Sequence, residues 1–281
     1  MKTSDKIAKA FSDAGSSLKS IAKIALLSRR CTIGRRDAAH GDALIILGNG
    51  PSLRQTIERR SDALKRNPSL AVNFAANTAE FSVLRPKYYV MADPHFFRSD
   101  EPNVCSLWRN LSEMDWPMTL YVPSPQRMSV QRRVPNLKVE GFNAVGADGW
   151  RWLRHAAYRS GLAMPRPRNV LIPSIMIAIK AGFRRIYLVG ADHSWLKTLS
   201  VGDDNAVLSI QPHFYEDDKR ELARSATEYR GYRLHEVLGG FTMAFRSYHQ
   251  IAEYAAASGV QIFNSTPESF IDAFERREID L

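Results

Sequence analysis

A short apolar run followed at once by a turn of small residues constrains the fold of this chain most strongly. Residues 43–47 (Ala-Leu-Ile-Ile-Leu) have the length and composition of a buried strand. The turn Gly-Asn-Gly-Pro-Ser at 48–52 leads directly into a helical pattern over 53–66. A helix that starts where a buried strand ends presents free backbone N–H groups, which are a natural seat for a phosphate group. This stretch predicts a nucleotide site built on an α/β sheet.

The composition of the turn refines this prediction. Gly48 and Gly50 let a ligand approach the backbone, and Asn49 offers both a hydrogen-bond donor and an acceptor. The turn contains neither the Gly-Lys-Ser/Thr ending of a phosphate loop nor three spaced glycines of a dinucleotide fingerprint, so both of those classes are excluded. The alternative is a tight structural turn in which Ser52 caps the helix.

Length and cysteine content place the chain among soluble globular proteins. Its 281 residues can bury a large core without disulfides, and its two cysteines, Cys31 and Cys105, do not form a metal-ligand pair. The sequence has no run of 18 apolar residues and no secretory signal. We therefore expect a cytoplasmic protein, with peripheral attachment to the inner face of the membrane as an option.

The net charge of +10 is concentrated in residues 1–36, which hold nine Lys or Arg and two acids. Apolar residues recur there at helical spacing, at Ile7, Phe11, Ala14, Leu18, Ile21 and Ala25. A basic amphipathic helix of this kind can lie on an anionic membrane surface. The alternatives are a self-association seam, which would make the protein a homo-oligomer, or a helix packed on the domain. Nucleic acid is not expected as a partner, because no basic patch with interleaved aromatic residues follows.

After residue 36 the chain alternates short apolar runs with helical stretches. Strands are predicted at 44–47, 70–74, 88–92, 118–122, 186–190 and 260–263, and helices at 53–66, 101–113, 148–160, 172–182, 217–230, 243–258 and 267–276. This alternation predicts a single α/β domain over 37–281, with a doubly wound, mainly parallel sheet. A polar segment over about 195–216 is predicted to form a lid above it.

Polar residues follow the predicted strands where a ligand would bind. Asn49 follows the first strand, Asn73 the second and Asp93 the third, while Asp192 and His193 follow the strand at 186–190. Ligands of open α/β sheets bind beyond the carboxyl ends of the strands, so we expect these five residues to lie close together.

Four segments together resemble the bacterial sialyltransferases of the Campylobacter type. They are residues 45–53 (Ile-Ile-Leu-Gly-Asn-Gly-Pro-Ser-Leu), 71–73 (Ala-Val-Asn) with Asp93 twenty residues later, 179–192 (Ile-Lys-Ala-Gly-Phe-Arg-Arg-Ile-Tyr-Leu-Val-Gly-Ala-Asp) and 260–274 (Val-Gln-Ile-Phe-Asn-Ser-Thr-Pro-Glu-Ser-Phe-Ile-Asp-Ala-Phe). The wider group of this family includes polysaccharide-biosynthesis proteins and archaeal 6-hydroxymethylpterin pyrophosphokinase-like proteins.

The resemblance implies a metal-independent glycosyltransferase with a single Rossmann-like domain, a variant of the GT-A type. Its donor would be a CMP-activated sugar, and no further cofactor would be needed. In this family, the asparagine at the position of Asn49 binds the phosphate region of the nucleotide, and asparagines at the next two positions, the first of which is Asn73 here, hold the cytidine and sugar portions. At the third such position the chain has Asp93, a carboxylate in place of an amide. The phosphate-binding tyrosine of the family is replaced by Ser194.

An inverting transfer also needs a base for the acceptor hydroxyl. His213 ends the polar lid segment, next to Tyr215, which could donate to a phosphate. His235 lies between two predicted helices, closer to the position of the base in the family. These two histidines are the predicted catalytic candidates, against the alternative that each is a surface or structural imidazole.

Hydroxyl side chains before the last predicted helix, Thr266 and Ser269, are predicted either to contact nucleotide or to cap that helix. The chain has no Asp-x-Asp pair of the kind that holds a divalent ion and a diphosphate. This absence favours a nucleoside monophosphate sugar over a diphosphate one. Together with it, the resemblance implies transfer from a CMP-sugar of the sialic acid or Kdo class to a surface glycan or lipid-linked saccharide. An ATP- and Mg²⁺-dependent pterin pyrophosphokinase and an inactive nucleotide-binding protein of polysaccharide assembly are the alternatives.

Overall fold

The computed structural model describes residues 3–209 and 229–281. Their centre is one eight-stranded sheet in which every neighbouring pair of strands is parallel. In chain order the strands are β1 Ala43–Leu47, β2 Ser69–Val72, β3 Tyr88–Val90, β4 Thr119–Pro123, β5 Lys138–Phe142, β6 Arg185–Val189, β9 Gln261–Asn264 and β10 Glu275–Arg276; β7 Ser200–Val201 and β8 Val207–Leu208 form a separate antiparallel hairpin.

Helices cover both faces of this sheet. They are α1 Thr3–Leu27, α2 Ser52–Arg66, α3 Ala79–Leu84, α4 Pro102–Ser112, α5 Arg127–Arg133, α6 Arg151–Ser160, α7 Leu171–Ala181 and α8 Leu234–Ala257. Leu44 and Ile46 of β1 pack into the core beneath α7 and α8, whereas Ile45 and Leu47 pack into the core beneath α2 to α4. Alternate side chains of β1 thus pack into two hydrophobic cores, one on each face of the sheet. The predicted doubly wound α/β fold is confirmed.

The strand order β10-β9-β6-β1-β2-β3-β4-β5 places the switch point of the sheet between β1 and β6. The chain builds outward from β1 to β5, crosses back to lay β6 beside β1, and then builds outward in the other direction. The loops after β1 and β6 therefore diverge at the carboxyl edge, which is where such sheets form a crevice for ligands.

Most predicted elements are present, with clear exceptions. All six predicted strands form, but β5, β10 and the β7–β8 hairpin were not predicted. The predicted helix at 267–276 is wrong, because these residues form a loop that ends in β10. The predicted helix at 217–230 lies mainly outside the described residues. Of the predicted lid, residues 195–209 form a 3-10 turn and the β7–β8 hairpin, and the remainder is outside the described part.

The described part of the basic N-terminal segment packs on the domain. The Ser20 hydroxyl donates to the Asp148 carbonyl at 3.0 Å and accepts from the Asp148 N–H at 2.9 Å. Beyond α1, the backbone N–H of Thr32 donates to the carbonyl of Gly141 in β5, at 3.2 Å. Within residues 3–209 and 229–281, no helix has the length and apolar character needed to cross a membrane.

Candidate functional site

A cleft of about 570 Å³ opens at the switch point of the sheet. Its lining residues come from the loops that follow five strands and from the segment before α7; they are Asn49, Gly50, Pro51, Val72, Asn73, Ala92, Asp93, Pro94, Ala144, Pro167, Arg168, Asn169, Val170, Leu171, Gly190, Asp192, His193, Ser194 and Trp195. The strand-end residues that were expected to lie together, from Asn49 to His193, do line one cleft. Their individual roles in ligand binding stay predictions.

Two amide oxygens in the wall of the cleft have no hydrogen-bond partner. Asn49 is 9% exposed; its Nδ2 donates to the Val72 carbonyl at 3.2 Å, while its Oδ1 is buried without a partner. The Oδ1 of Asn73 is also buried and unpartnered, and this residue adopts a left-handed backbone with φ of 53°. Buried acceptors without donors cost free energy, so each oxygen would gain from a donor brought within its reach.

The N-terminus of α2 is already occupied by a carboxylate. Asp192 accepts the backbone N–H of Ser52 at 3.3 Å through Oδ1 and the Ser52 hydroxyl at 2.8 Å through Oδ2. Burial raises the pKa of Asp192, while these bonds from Ser52 oppose that effect. A carboxyl group of the protein thus already binds the start of α2, and the expectation that a ligand phosphate sits there stays a prediction.

The glycines of the first turn serve contact between two loops. The N–H of Gly48 donates to the Val189 carbonyl and that of Gly50 to the Gly190 carbonyl, both at 2.8 Å. A Cβ on Gly48 would lie 2.4 Å from the Gly190 carbonyl oxygen. Gly48 and Ser52 make these structural contacts and do not line the cleft, and their predicted contact with nucleotide stays a prediction.

A buried polar network forms the opposite wall. The Tyr248 hydroxyl lies 2.6 Å from His193 Nε2 and donates to Asn169 Oδ1 at 2.9 Å. Asn169 Oδ1 also accepts the backbone N–H of Leu171 at 3.0 Å, so it caps α7. The His193 ring stacks on Trp195 with centroids 4.2 Å apart. Burial lowers the pKa of His193 to about 3, so this imidazole is neutral at physiological pH.

Arg168 is the cationic residue that sequence reasoning missed. Among the described residues that line the cleft it is the one Lys or Arg, its side chain is exposed, and it makes no ion pair with another described residue. It precedes the α7 cap in the run Pro165-Arg-Pro-Arg-Asn169. The signal that could have identified it is an asparagine cap at the start of a long apolar helix, with arginines just ahead.

Asp93 is exposed at the mouth of the cleft. Its Oδ1 accepts the backbone N–H of His95 at 2.8 Å, which caps a short 3-10 helix over Pro94–Phe97. Its second carboxylate oxygen makes no hydrogen bond within the described structure. A carboxylate held at one oxygen and open at the other can accept a proton from a bound hydroxyl.

The other predicted site residues lie elsewhere. His213 and Tyr215 fall outside the described residues. His235 lies exposed in the first turn of α8 and does not line the cleft. Thr266 and Ser269 are buried, and their hydroxyls donate to the carbonyls of Leu188 and Ala191. The two hydroxyls thus fix the end of β6 and the loop after it. The helix that they were predicted to cap does not form, and their predicted contact with nucleotide stays a prediction.

No group of three or more His, Cys, Asp or Glu residues in the described ranges is arranged to hold a metal ion. The described lining of the cleft offers two amide acceptors, one arginine and two separate aspartates. This set can bind an uncharged hydrogen-bonding group and one small anion, and it can accept a proton.

Comparison with known proteins adds a distant structural likeness. No protein-family model matches the chain, and no curated protein matches it. Among solved structures it is similar to the MAf glycosyltransferase from Magnetospirillum magneticum AMB-1, at 12% sequence identity and a TM-score of 0.49, over 94% of this chain and 38% of that one. The chain thus spans about two-fifths of that protein.

Proposed function

We propose that the protein is an inverting glycosyltransferase that uses a CMP-activated sugar of the sialic acid or Kdo class. The observation that carries the proposal is the pair of unpartnered amide oxygens, Asn49 Oδ1 and Asn73 Oδ1, in a cleft at the switch point of the sheet. The ribose hydroxyls and the exocyclic amine of cytosine are donors of the kind that these acceptors lack. The acceptor substrate would be a surface glycan or a lipid-linked saccharide.

The charge of the cleft supports a nucleoside monophosphate. Arg168 can make paired hydrogen bonds to one phosphate group. Asp192 holds the start of α2 and would repel a second phosphate placed there. A diphosphate would need a further cation, and the described lining residues do not supply one. We therefore assign the phosphate of the donor to Arg168 and not to the Gly-Asn-Gly-Pro-Ser turn.

Transfer requires one bond to form and one to break. The acceptor oxygen bonds to the anomeric carbon of the sugar, the bond from that carbon to the phosphate oxygen breaks, and CMP leaves. The proton of the acceptor hydroxyl passes to a base. We assign this role to Asp93, because the lining residues include its half-free carboxylate, whereas Asp192 is already bonded to Ser52. His213 remains a second candidate base, outside the described residues.

A thermal-shift screen of CMP, CDP, UDP, GDP and ATP, each with Mg²⁺ or EDTA, tests the proposal. CMP should raise the melting temperature in EDTA, since a ligand at 100 times its dissociation constant stabilises the folded state by about 2.7 kcal/mol. Arg168→Gln should weaken CMP binding by about 10- to 150-fold, equivalent to a charged hydrogen bond of about 1.5–3 kcal/mol. The matched control is Arg159→Gln, an exposed arginine of α6 outside the cleft.

Two results would contradict the assignment. Stabilisation by ATP that requires Mg²⁺, without an effect of CMP, would favour the pyrophosphokinase alternative. Equal CMP affinity of Arg168→Gln and Arg159→Gln would remove Arg168 from the phosphate site. Catalysis is tested separately: Asp93→Asn should lower turnover by about 10²–10⁴-fold while CMP binding is retained.

A further inference from the structure

Helix α1 contacts the domain through its small polar side. The Ser17 hydroxyl accepts the backbone N–H of Trp150 at 2.9 Å, and Ser20 is bonded to Asp148 as described above. Gly149 allows this close contact, because a Cβ there would lie 2.3 Å from the Ser17 hydroxyl. Ile24, one turn further on, packs against the core. The spacing of Ser17, Ser20 and Ile24 defines the inner face of α1.

The apolar side of α1 consequently faces away from the domain. Phe11 is 75% exposed, Leu18 67% and Ile21 47%, and Leu26 and Leu27 at the end of the helix are also exposed. An amphipathic helix of a globular protein normally buries this side. Here the helix is fixed in the opposite orientation, with its apolar residues open to the surroundings.

Two tryptophans extend this apolar surface. Trp150, whose backbone is bonded to Ser17, stacks on Trp152 with centroids 6.0 Å apart and planes inclined by 18°. Trp152 is 66% exposed. Tryptophan is enriched at membrane–water interfaces, where its ring contacts both the acyl boundary and the headgroups. Phe11, Leu18, Ile21, Trp150 and Trp152 are called the α1 surface below.

Positive charge accompanies the α1 surface. Lys19 and Lys23 are exposed and make no ion pair with another described residue. Arg30 follows the helix and is also exposed. Uncompensated lysines beside exposed apolar residues match an anionic headgroup region above a hydrocarbon layer.

We propose that the α1 surface docks the protein on an anionic lipid bilayer, with α1 lying in the interface. The alternative occupant is a second copy of this chain. A symmetric dimer through the same surface would bring the lysines of both copies together, which is unfavourable without acids opposite them. An anionic bilayer satisfies the apolar residues and the lysines at once. The inference does not depend on which nucleotide the cleft binds.

Sedimentation of the full-length protein with phospholipid vesicles tests this proposal. The wild type should bind vesicles of phosphatidylcholine with phosphatidylglycerol and bind phosphatidylcholine alone much more weakly. Phe11→Gln/Leu18→Gln should lower the partition coefficient at least tenfold, because two side chains no longer enter the interface. Lys19→Gln/Lys23→Gln should lower it about fivefold for each lysine, equivalent to about 1 kcal/mol each.

Met128→Gln is the matched control, since Met128 is 59% exposed on α5, outside the α1 surface. It should bind vesicles as the wild type does, and all variants should keep the melting temperature of the wild type, because the changed side chains are exposed. Vesicle binding that none of the variants weakens would overturn the proposal. A lipid-free dimer that Leu18→Gln dissociates, together with no vesicle binding by the wild type, would assign the surface to self-association instead.

Discussion

Replacing Tyr248 by phenylalanine removes the hydroxyl that joins His193 and Asn169 within one wall of the cleft. Asn169 Oδ1 accepts the N–H of Leu171 and the hydroxyl of Tyr248. His193 Nε2 lies 2.6 Å from the Tyr248 hydroxyl and 3.3 Å from Asn169 Nδ2. The Tyr248 hydroxyl is therefore the nearer of the two polar partners of this ring nitrogen.

The cost of Tyr248→Phe follows from this arrangement. The variant removes the nearer partner of the buried His193 Nε2, and loss of a buried hydrogen-bond partner costs about 1–3 kcal/mol. For 281 residues, an unfolding entropy of about 2.1 cal/mol/K per residue gives roughly 0.6 kcal/mol/K. The melting temperature should fall by about 2–5 °C, as measured by differential scanning calorimetry.

The control is Tyr232→Phe, which removes a hydroxyl from a side chain that is 56% exposed and should leave the melting temperature unchanged. Equal melting temperatures for the two variants would refute the account of the network.

Three further predictions concern the loops around the cleft. Gly50→Ala should lower the melting temperature measured by calorimetry, because its Cβ would lie 1.9 Å from Asp192 Oδ2. Gly239→Ala in α8 should instead stabilise the protein by up to about 1 kcal/mol, because its Cβ would meet no atom within 4 Å and alanine favours a helix. In urea unfolding, the free energy of unfolding should fall as the pH falls from about 6.5 towards about 3. In this window the unfolded chain binds a proton at His193, whereas folded His193, with a pKa of about 3, does not. His193→Gln should therefore weaken the dependence of the unfolding free energy on pH. Asp192→Ala should lose about 0.5–2 kcal/mol as the acceptor for Ser52 at the start of α2 disappears, and Asp192→Asn should retain most of that stability in the same assay.

The central sheet could be predicted because its strands are continuous apolar runs between turns. β5 was not predicted because Lys138–Phe142 contains Glu140 and Gly141. These residues interrupt the continuous apolar run by which the other strands were predicted. Its outer edge is covered by the N-terminal segment, where Glu140 accepts the N–H of Gly34 at 2.9 Å. A strand whose burial depends on residues a hundred positions away has no local signature.

The helix predicted at 267–276 does not form because side chains bind the backbone of this segment. Its apolar spacing fits a helix, but Asn264 Nδ2 donates to the Ile271 carbonyl and Asn264 Oδ1 accepts the N–H of Thr266. The Ser269 hydroxyl likewise accepts the N–H of Ile271. Side-chain bonds to the backbone thus replace the helical ones.

The location of the candidate site was predictable, and its electrostatics were not. Asn49 and Asn73 follow strands of a parallel sheet, so their meeting at one edge follows from topology. That Asp192 fills the start of α2 depends on a contact across 140 residues of chain. Arg168 precedes a helix and follows no strand, so the pattern of polar residues after predicted strands did not include it.

Calorimetric titration with CMP in EDTA tests the central claim most directly. Wild-type protein should bind CMP, and Asn49→Ala should bind it about 5- to 150-fold more weakly, because a ligand donor loses its acceptor at a cost of about 1–3 kcal/mol. The control is Asn67→Ala, which removes a hydrogen bond from the Asn67 side-chain amide to the Ala63 carbonyl, 2.9 Å long and outside the cleft. This variant should bind CMP with unchanged affinity. The absence of CMP binding by the wild type, or equal affinity in Asn49→Ala and Asn67→Ala, would contradict the account.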